Sequence, residues 1–165
     1  MKFREGTYMS SRIDAASECF TKGFNCAQAV FFAYASHAGV SEADALRIAA
    51  GFGGGMGRQQ EVCGAVTGAL MVIGGMSGSA VVDPAAKEKT YAQVNVFSSE
   101  FRRLHGSLLC RDILGCDIST VEGRQEVEER RLSTLVCLPC VQDACRILEE
   151  KILNAEKIEQ SDTKV

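Results

Sequence analysis

Eight cysteines are the residues of this 165-residue chain that are best suited to chemistry. A thiolate can act as a nucleophile, a redox group or a metal ligand. Cys26 and Cys63 are predicted to lie in the first turns of two helices, where free backbone N–H groups and the helix dipole stabilise a thiolate. We expect Cys63 to be the most reactive of the eight thiols, because it combines a helix N-terminus, a glycine-rich approach loop and no bulky residue at Gly64.

A C-x-x-C motif, Cys137-Leu138-Pro139-Cys140, stands immediately before the last predicted helix. This spacing is typical of a redox pair, and it also suits half of a metal site. Pro139 is predicted to occupy the first helical position. Cys137 would then lie outside the helix and be free to turn toward Cys26 and Cys63, while Cys140 would be an auxiliary or resolving thiol.

The other four cysteines are weaker candidates. Five residues separate Cys110 from Cys116, a spacing that fits neither a zinc knuckle nor a thioredoxin motif. Cys19 and Cys145 fall on apolar helical faces, where a free cysteine is usually a small buried hydrophobic residue.

The two histidines are not strong ligand candidates either. His37 shares a helical face with Cys26 but lies roughly 16 Å away at 1.5 Å rise per residue, too far for one ion. His105 precedes Cys110 by five residues, and we interpret it as a structural histidine rather than a ligand.

A glycine-rich segment, Gly51-Phe52-Gly53-Gly54-Gly55-Met56-Gly57, cannot form a stable helix and predicts a loop. It follows a predicted helix rather than a strand and lacks G-K-[ST], which excludes a Rossmann or P-loop site. Its backbone N–H groups could instead face an anion, either a thiolate or an anionic cluster. Gly55, Gly57 and Gly64 are therefore our candidates for contact with a cofactor.

The hydrophobic pattern predicts helices and no period-2 strand. We predict them at roughly 10–21, 26–38, 41–50, 62–74, 84–105 and 139–158, with a flexible loop at 74–78 and a solvated turn or helix end at 122–131. Gly64 and Gly68 leave a bare groove on one helix, where another helix can approach closely. The expected fold is all-α: a compact single-domain helical bundle of about five to six helices over residues 1–165, with a frayed tail at 159–165.

Composition excludes several classes of protein. Hydrophobic residues make up 46% and charged residues 24%, as in a globular domain, and the net charge of −3 argues against nucleic-acid binding. No apolar stretch is long enough to insert into a membrane, and the charged start Met1-Lys2-Phe3-Arg4-Glu5 has no signal-peptide pattern. We therefore expect a cytoplasmic protein, in which grouped cysteines more often mean metal or redox chemistry than structural disulfides.

Several of these motifs occur together in one known family. They are residues 23–30 (GFNCAQAV), 53–57 (GGGMG), 63–69 (CGAVTGA) and 110–115 (CRDILG), followed by a cysteine before Val141 and a closing helix. The chain resembles the C_GCAxxG_C_C family of redox-active proteins over roughly residues 18–150.

The resemblance implies an α-helical domain with a redox or metal-linked role and four defining cysteines. Carried over to this sequence they are Cys26, Cys63, Cys110 and Cys137, with Cys140 as an extra neighbour. Similar domains occur joined to c-type cytochrome modules, where an iron–sulfur site has been considered. This chain has no C-x-x-C-H, so we expect no c-type haem.

Three functions follow as hypotheses. The first is thiol–disulfide or electron-transfer chemistry by a converging cysteine quartet, which would make the protein an oxidoreductase-like enzyme. The second is binding of an iron–sulfur cluster or a metal ion by Cys26, Cys63, Cys110 and Cys137. The third is a helical module that binds a small molecule or a partner and whose cysteines serve packing. The partners considered are a redox partner protein and a second copy in a homodimer.

Overall fold

Eight α-helices of five or more residues, joined by turns and by short 3-10 and π-helical segments, make up residues 11–156, the part of the chain described by this computed structural model. In chain order they are α1 (Arg12–Thr21), α2 (Cys26–Ala33), α3 (Glu42–Ile48), α4 (Gly64–Ser77), α5 (Pro84–His105), α6 (Cys110–Leu114), α7 (Val121–Glu129) and α8 (Leu138–Ile147). Within this range no strand occurs. The all-α class is confirmed, but the expected five to six helices were too few; the predicted tail at 159–165 lies outside the described residues.

Side-chain caps begin several helices where the sequence predicted them. The Asn25 side chain accepts the N–H of Gln28 at 2.9 Å, and the Gln28 side chain accepts the N–H of Asn25 at 3.0 Å, which forms a capping box before α2. Asp83 caps α5, and Pro84 occupies the first turn of that helix. The observed bounds of α5 agree with the prediction.

Tertiary packing overrides local propensity at other boundaries. The predicted flexible loop at 74–78 is wrong, since α4 continues through Gly74 and Gly75 to Ser77. A Cβ at Gly75 would lie 2.6 Å from Cβ of Ala38, so close packing accounts for a glycine inside this helix. Conversely, α2 stops at Ala33, short of the predicted residue 38, and tight turns follow. Residues 121–129, predicted as a turn or helix end, form α7.

The helical segment that carries the C-x-x-C motif begins earlier than predicted. Cys137 has helical backbone angles (φ −67°, ψ −42°), so the expectation that it lies outside the helix is wrong. Residues 133–137 form a π-helical turn that continues directly into α8. Pro139 has no N–H and would crowd the carbonyl four residues earlier, and a wide turn before it relieves both problems. The proline is therefore accommodated inside a continuous helix rather than starting one.

Helix α2 lies at the centre of the main core and packs most extensively against α4. The groove predicted on α4 is the contact. A Cβ at Gly68 would lie 2.7 Å from the carbonyl oxygen of Ala27 and 3.1 Å from Cβ of Val30, and one at Gly64 would lie 3.1 Å from Cβ of Cys26. This close approach brings the N-terminal ends of α2 and α4, and with them two cysteines, to the same place.

Candidate functional site

One cavity of about 550 Å³ is lined by all five cysteines that the sequence singled out as site residues. They are Cys26, Cys63, Cys110, Cys137 and Cys140. All are free thiols, and they come from four separate parts of the chain. Apolar side chains including Phe20, Ile113, Leu114, Ile118 and Val127 form much of the remaining wall.

Two of these cysteines stand at helix N-termini, as predicted. Cys26 is the first residue of α2, directly after its cap Asn25. Cys63 is the N-cap residue of α4; its side chain makes no capping hydrogen bond, but the nearby backbone N–H groups of Ala65 and Val66 help to lower its pKa. These N–H groups lie in the first turn of α4 and point toward its N-terminal end, where they stabilise a thiolate, although the N–H of Val66 also donates to the carbonyl of Cys63 at 2.9 Å.

A short antiparallel bridge between Val62 and Leu109 holds Cys110 beside Cys63. The N–H of Cys63 donates to the carbonyl of Leu108 at 2.8 Å, and the N–H of Cys110 donates to the carbonyl of Glu61 at 2.7 Å. The two segments are too short to count as strands, yet these hydrogen bonds fix two cysteines that are far apart in sequence.

Cys63 forms a close pair with Cys140 from α8. Hydrogen bonding from the Cys140 thiol is the largest cause of a lowered pKa of Cys63, and it outweighs the opposing effect of burial. The same interaction, followed by burial, raises the pKa of Cys140. The Cys63 sulfur is therefore favoured as the thiolate, and Cys140 retains its proton.

Cys26 forms the second pair, with Cys137. Here hydrogen bonding from the Cys26 thiol is the largest cause of a lowered pKa of Cys137, while the pKa of Cys26 is raised by that interaction and by burial. Each pair thus consists of one sulfur favoured as a thiolate and one protonated neighbour. In both pairs, a helix near the N-terminus of the chain contributes one sulfur and the C-terminal helical segment contributes the other.

Cys110 lies on the same cavity but outside both pairs. Burial raises its pKa to about 12, and the neighbouring sulfurs of Cys63 and Cys137 add to the effect. Cys116, which does not line the cavity, also has a raised pKa, with burial as the largest cause. Neither is favoured as a thiolate in this arrangement.

The glycine-rich segment is only partly the loop that its composition predicted. Ala49–Phe52 form a 3-10 turn, and Gly53–Met56 form one distorted helical turn in which Gly54 and Gly55 have non-helical angles. Left-handed φ angles occur at Gly54, Gly55 and Gly57, and also at Met56, Arg58 and Gln60. Gly57 and Gly64 line the cavity, whereas Gly55 is buried behind it, where its Cβ would lie 2.7 Å from Cβ of Cys110. The role of these glycines in holding a cofactor stays a prediction.

The metal hypothesis is supported by the type of donor but not by donor placement. Four thiolates are the usual ligands of both an iron–sulfur cluster and a structural zinc ion. Over residues 11–156, however, no group of three or more His, Cys, Asp or Glu side chains is placed to hold a metal ion. The strongest influence of one sulfur on the pKa of another is instead pairwise, between Cys63 and Cys140 and between Cys26 and Cys137.

Sequence reasoning missed the contact between His105 and Cys140. Its Nδ1 lies 3.6 Å from the sulfur of Cys140, and its Nε2 lies 3.2 Å from an oxygen of Asp143. The spacing of Cys140 and Asp143, three residues apart on one helix, was the only hint, because such residues share a face. His37 is placed elsewhere, 3.1 Å from the guanidinium of Arg12.

The two cysteines predicted to be structural are indeed in the core. Cys19 is 5% exposed and Cys145 is fully buried. Burial is the largest cause of their raised pKa values, about 11 for Cys19 and about 12 for Cys145. Neither sulfur lines the cavity.

Fold and site together define a class of all-helical protein in which several thiols line one cavity. The chain belongs to the family described as "Putative redox-active protein (C_GCAxxG_C_C)", which matches residues 24–151. Neither curated proteins nor solved structures include a significant match to the chain. Among the helices of residues 11–156, none has the length and apolar character needed to cross a membrane.

Proposed function

We propose that this protein carries out dithiol–disulfide exchange through Cys63 and Cys140, and that Cys26 and Cys137 form a second dithiol of the same kind. The observation that supports the proposal is that these four free thiols line one cavity, and that within each pair the two sulfurs are the strongest influence on each other's pKa. Such an exchange needs both roles, a nucleophile and a resolving thiol.

The reaction with a substrate disulfide balances in two steps. The Cys63 thiolate attacks one sulfur of the substrate disulfide, forming a mixed disulfide and releasing the first substrate thiolate. Cys140 then loses its proton and its sulfur attacks Cys63, forming the Cys63–Cys140 disulfide and releasing the second substrate thiolate. Two protein thiols are oxidised, and one substrate disulfide is reduced to two thiols. The reverse reaction would reduce the protein and oxidise a dithiol.

The burial of the pair limits which substrates can react. Cys63 is 5% exposed and Cys140 is 1% exposed, so a flat protein surface cannot reach either sulfur. A cavity of about 550 Å³ lies within the range typical of small-molecule sites. A small organic disulfide, or an extended peptide that carries one, therefore fits better than a folded partner that docks without inserting a segment.

Redox titration with disulfide mapping tests the proposal. The protein would be equilibrated in glutathione buffers of increasing oxidised fraction, quenched with acid and analysed by peptide mass spectrometry. We expect Cys63–Cys140 and Cys26–Cys137 disulfides, each with a defined midpoint. Cys63→Ser should abolish the first and keep the second, and Cys116→Ser should change neither.

The same titration can overturn the proposal. If no disulfide links Cys63 to Cys140 at any glutathione ratio, that pair is not a redox dithiol. A Cys137–Cys140 disulfide in its place would assign the chemistry to the C-x-x-C motif alone.

An iron–sulfur cluster or other metal is the second candidate, because Cys26, Cys63, Cys110 and Cys137 all line one cavity. Protein purified without oxygen decides between the two candidates. Brown colour, with charge-transfer absorption and stoichiometric iron lost in Cys110→Ser, would favour the cluster. Colourless, metal-free protein with the mapped disulfides would favour exchange. If neither a cluster nor the mapped disulfides were found, the third hypothesis would remain, a helical binding module with structural cysteines.

A further inference from the structure

We propose that His105 accepts the proton of the Cys140 thiol during disulfide formation and that Asp143 orients its imidazole ring. This inference rests on the proposed thiol–disulfide exchange and assigns a catalytic residue, His105, and a positioning residue, Asp143, to its second step. His105 would serve as a general base for the Cys63–Cys140 pair, and no such base contacts the Cys26–Cys137 pair among the described contacts.

The geometry determines which nitrogen is the base. Nδ1 of His105 lies 3.6 Å from the sulfur of Cys140, and Nε2 lies 3.2 Å from an oxygen of Asp143. A carboxylate attracts the N–H of the ring, so the proton belongs on Nε2 and the lone pair of Nδ1 faces the thiol. A nucleophile, a base and a group that orients the base are the three parts of an activated thiol.

Neighbouring side chains restrict the imidazole to this orientation. The ring packs against Phe101, with 4.4 Å between ring centroids, and the side chain is 14% exposed. The contact with Asp143 is close but not aligned as a hydrogen bond, so its effect is mainly electrostatic. Catalytic contacts of this kind often tighten only once substrate is bound.

The charges around the ring favour its neutral form near pH 7. Burial is the largest influence and lowers the pKa of His105, while the carboxylate of Asp143 acts in the opposite direction. Arg146 forms an ion pair with the same carboxylate, which moderates that effect. Cys140, on the other side of the ring, is protonated. A neutral imidazole beside a protonated thiol is the arrangement that a general base requires.

The resolving step needs such a base because Cys140 holds its proton. Once Cys63 is in a mixed disulfide, it carries no negative charge and no longer accepts the hydrogen bond of Cys140. The proton of Cys140 moves to Nδ1 of His105, and the sulfur electron pair forms the bond to Cys63. The bond between Cys63 and the substrate sulfur breaks, and the departing thiolate receives the proton from Nδ1. Protons and electrons balance without a further reactant beyond the substrate disulfide.

The two cysteine pairs differ in whether a histidine lies beside them. The chain contains two histidines, and His37 contacts Arg12 and Ser36 rather than a cysteine in its described hydrogen bonds. Neither histidine lines the cavity near Cys26 and Cys137. We therefore expect the Cys63–Cys140 disulfide to form faster than the Cys26–Cys137 disulfide.

Rapid mixing with one equivalent of 2,2′-dithiodipyridine measures the step directly. This neutral disulfide releases a thione whose departure varies little with pH, so the pH dependence reports protein groups. Acid quenching and peptide mass spectrometry would quantify the Cys63 mixed disulfide and the Cys63–Cys140 disulfide over time. The variants are His105→Gln and Asp143→Asn, with His37→Gln as the matched control and circular dichroism as the check on folding.

We expect His105→Gln to form the mixed disulfide at the wild-type rate and to resolve it on the order of 100-fold more slowly, the lower end of what a positioned base contributes. Resolution in wild-type protein should be flat above the pKa of His105 and should fall below it. In His105→Gln it should rise about tenfold per pH unit, because hydroxide becomes the base. Asp143→Asn should shift the wild-type inflection to lower pH.

Each outcome bears on one of the two proposals. Wild-type resolution rates and pH profiles in both His105→Gln and Asp143→Asn would overturn the inference and leave the exchange proposal standing. Absence of a Cys63–Cys140 disulfide in the wild-type protein would overturn the exchange proposal itself. If His105→Gln fails to fold, the direction of the pH shift in Asp143→Asn decides, since a merely structural role would leave the inflection where it is.

Discussion

Gly68 lies so close to Ala27 that a Cβ at position 68 would be 2.7 Å from the carbonyl oxygen of Ala27. This contact joins α4 to α2 just behind the cysteines at their N-termini. We predict that Gly68→Ala lowers the free energy of unfolding by about 1–3 kcal/mol through overpacking. Urea denaturation followed by circular dichroism measures the change.

Gly74 is the matched control on the same helix. A Cβ at Gly74 would meet no atom within 4 Å, so Gly74→Ala should raise stability by about 0.5–1 kcal/mol through helix propensity alone. Equal effects of the two substitutions would show that the α2–α4 contact is looser than described.

Cys63 should be the cysteine that reacts earliest as pH rises, with Cys137 next, because neighbouring thiols lower the pKa of both sulfurs. Competitive alkylation with iodoacetamide across pH, read out by peptide mass spectrometry, ranks all eight. Cys19 and Cys145 should stay protected in the folded protein, since burial raises their pKa values. Earlier labelling of either would refute the burial argument.

Cys140→Ala should make Cys63 a weaker nucleophile at neutral pH. It removes the hydrogen bond that is the largest cause of the lowered pKa of Cys63, so the alkylation profile of Cys63 should move to higher pH. Cys116→Ala, at a cysteine outside the cavity, is the control and should leave that profile in place. An unmoved profile in Cys140→Ala would mean that the backbone N–H groups of α4 suffice.

Gly55→Ala should loosen Cys110. The left-handed backbone at Gly55 (φ +64°) costs an alanine about 1–2 kcal/mol, and its Cβ would also lie 2.7 Å from Cβ of Cys110. We expect lower stability and faster alkylation of Cys110. Gly51→Ala, where a Cβ meets no atom within 4 Å, should show neither effect.

Alkaline pH should destabilise the protein, and Tyr34 should contribute. Burial is the largest cause of the raised pKa values of Tyr34 and Cys145, so both groups stay protonated in the folded state while their unfolded counterparts ionise near pH 10 and 8.5. The unfolded state then binds fewer protons, and stability falls as pH rises.

Tyr34→Phe tests the contribution of the tyrosine. Its hydroxyl contacts the carbonyl of Cys145 and the carboxylate of Glu149, both at 3.1 Å, so the variant should lose about 1 kcal/mol near pH 7. Its stability should then decline less steeply than that of the wild type above pH 10. Tyr91→Phe, on the exposed face of α5, should follow the wild-type curve.

Local signals in the sequence were sufficient for the helices that begin with a side-chain cap. The Asn25–Gln28 capping box and the Asp83-Pro84 start each depend on residues within one turn, so a short window of sequence contains the whole interaction. The predicted helix boundaries were wrong where contacts with residues distant in sequence determine where a helix ends. Gly75 stays helical because Ala38 packs against it, and no local pattern reports that contact.

The candidate site likewise combines features that follow from the local sequence with features that depend on tertiary contacts. Helix N-termini at Cys26 and Cys63 follow from local pattern, but the choice of partner sulfur depends on how α8 crosses α2 and α4. The π-helical turn before Pro139 keeps Cys137 in the same helical segment as Cys140, which the C-x-x-C spacing alone did not indicate. His105 approaches Cys140 from α5, a tertiary contact that the spacing of Cys140 and Asp143 alone could not predict.

The two cysteine pairs overlap along the chain, since Cys63 lies between Cys26 and Cys137, and Cys140 lies beyond both. Oxidation of both would close two crossed covalent loops of roughly 80 and 110 residues, each worth about 4–5 kcal/mol in the chain-entropy account. The C-terminal helical segment would then be covalently linked to two helices from the N-terminal half of the chain. Redox state would thereby control the resistance of the whole fold to heat and proteolysis. Only in the reduced protein could the C-terminal helix move away from the cavity.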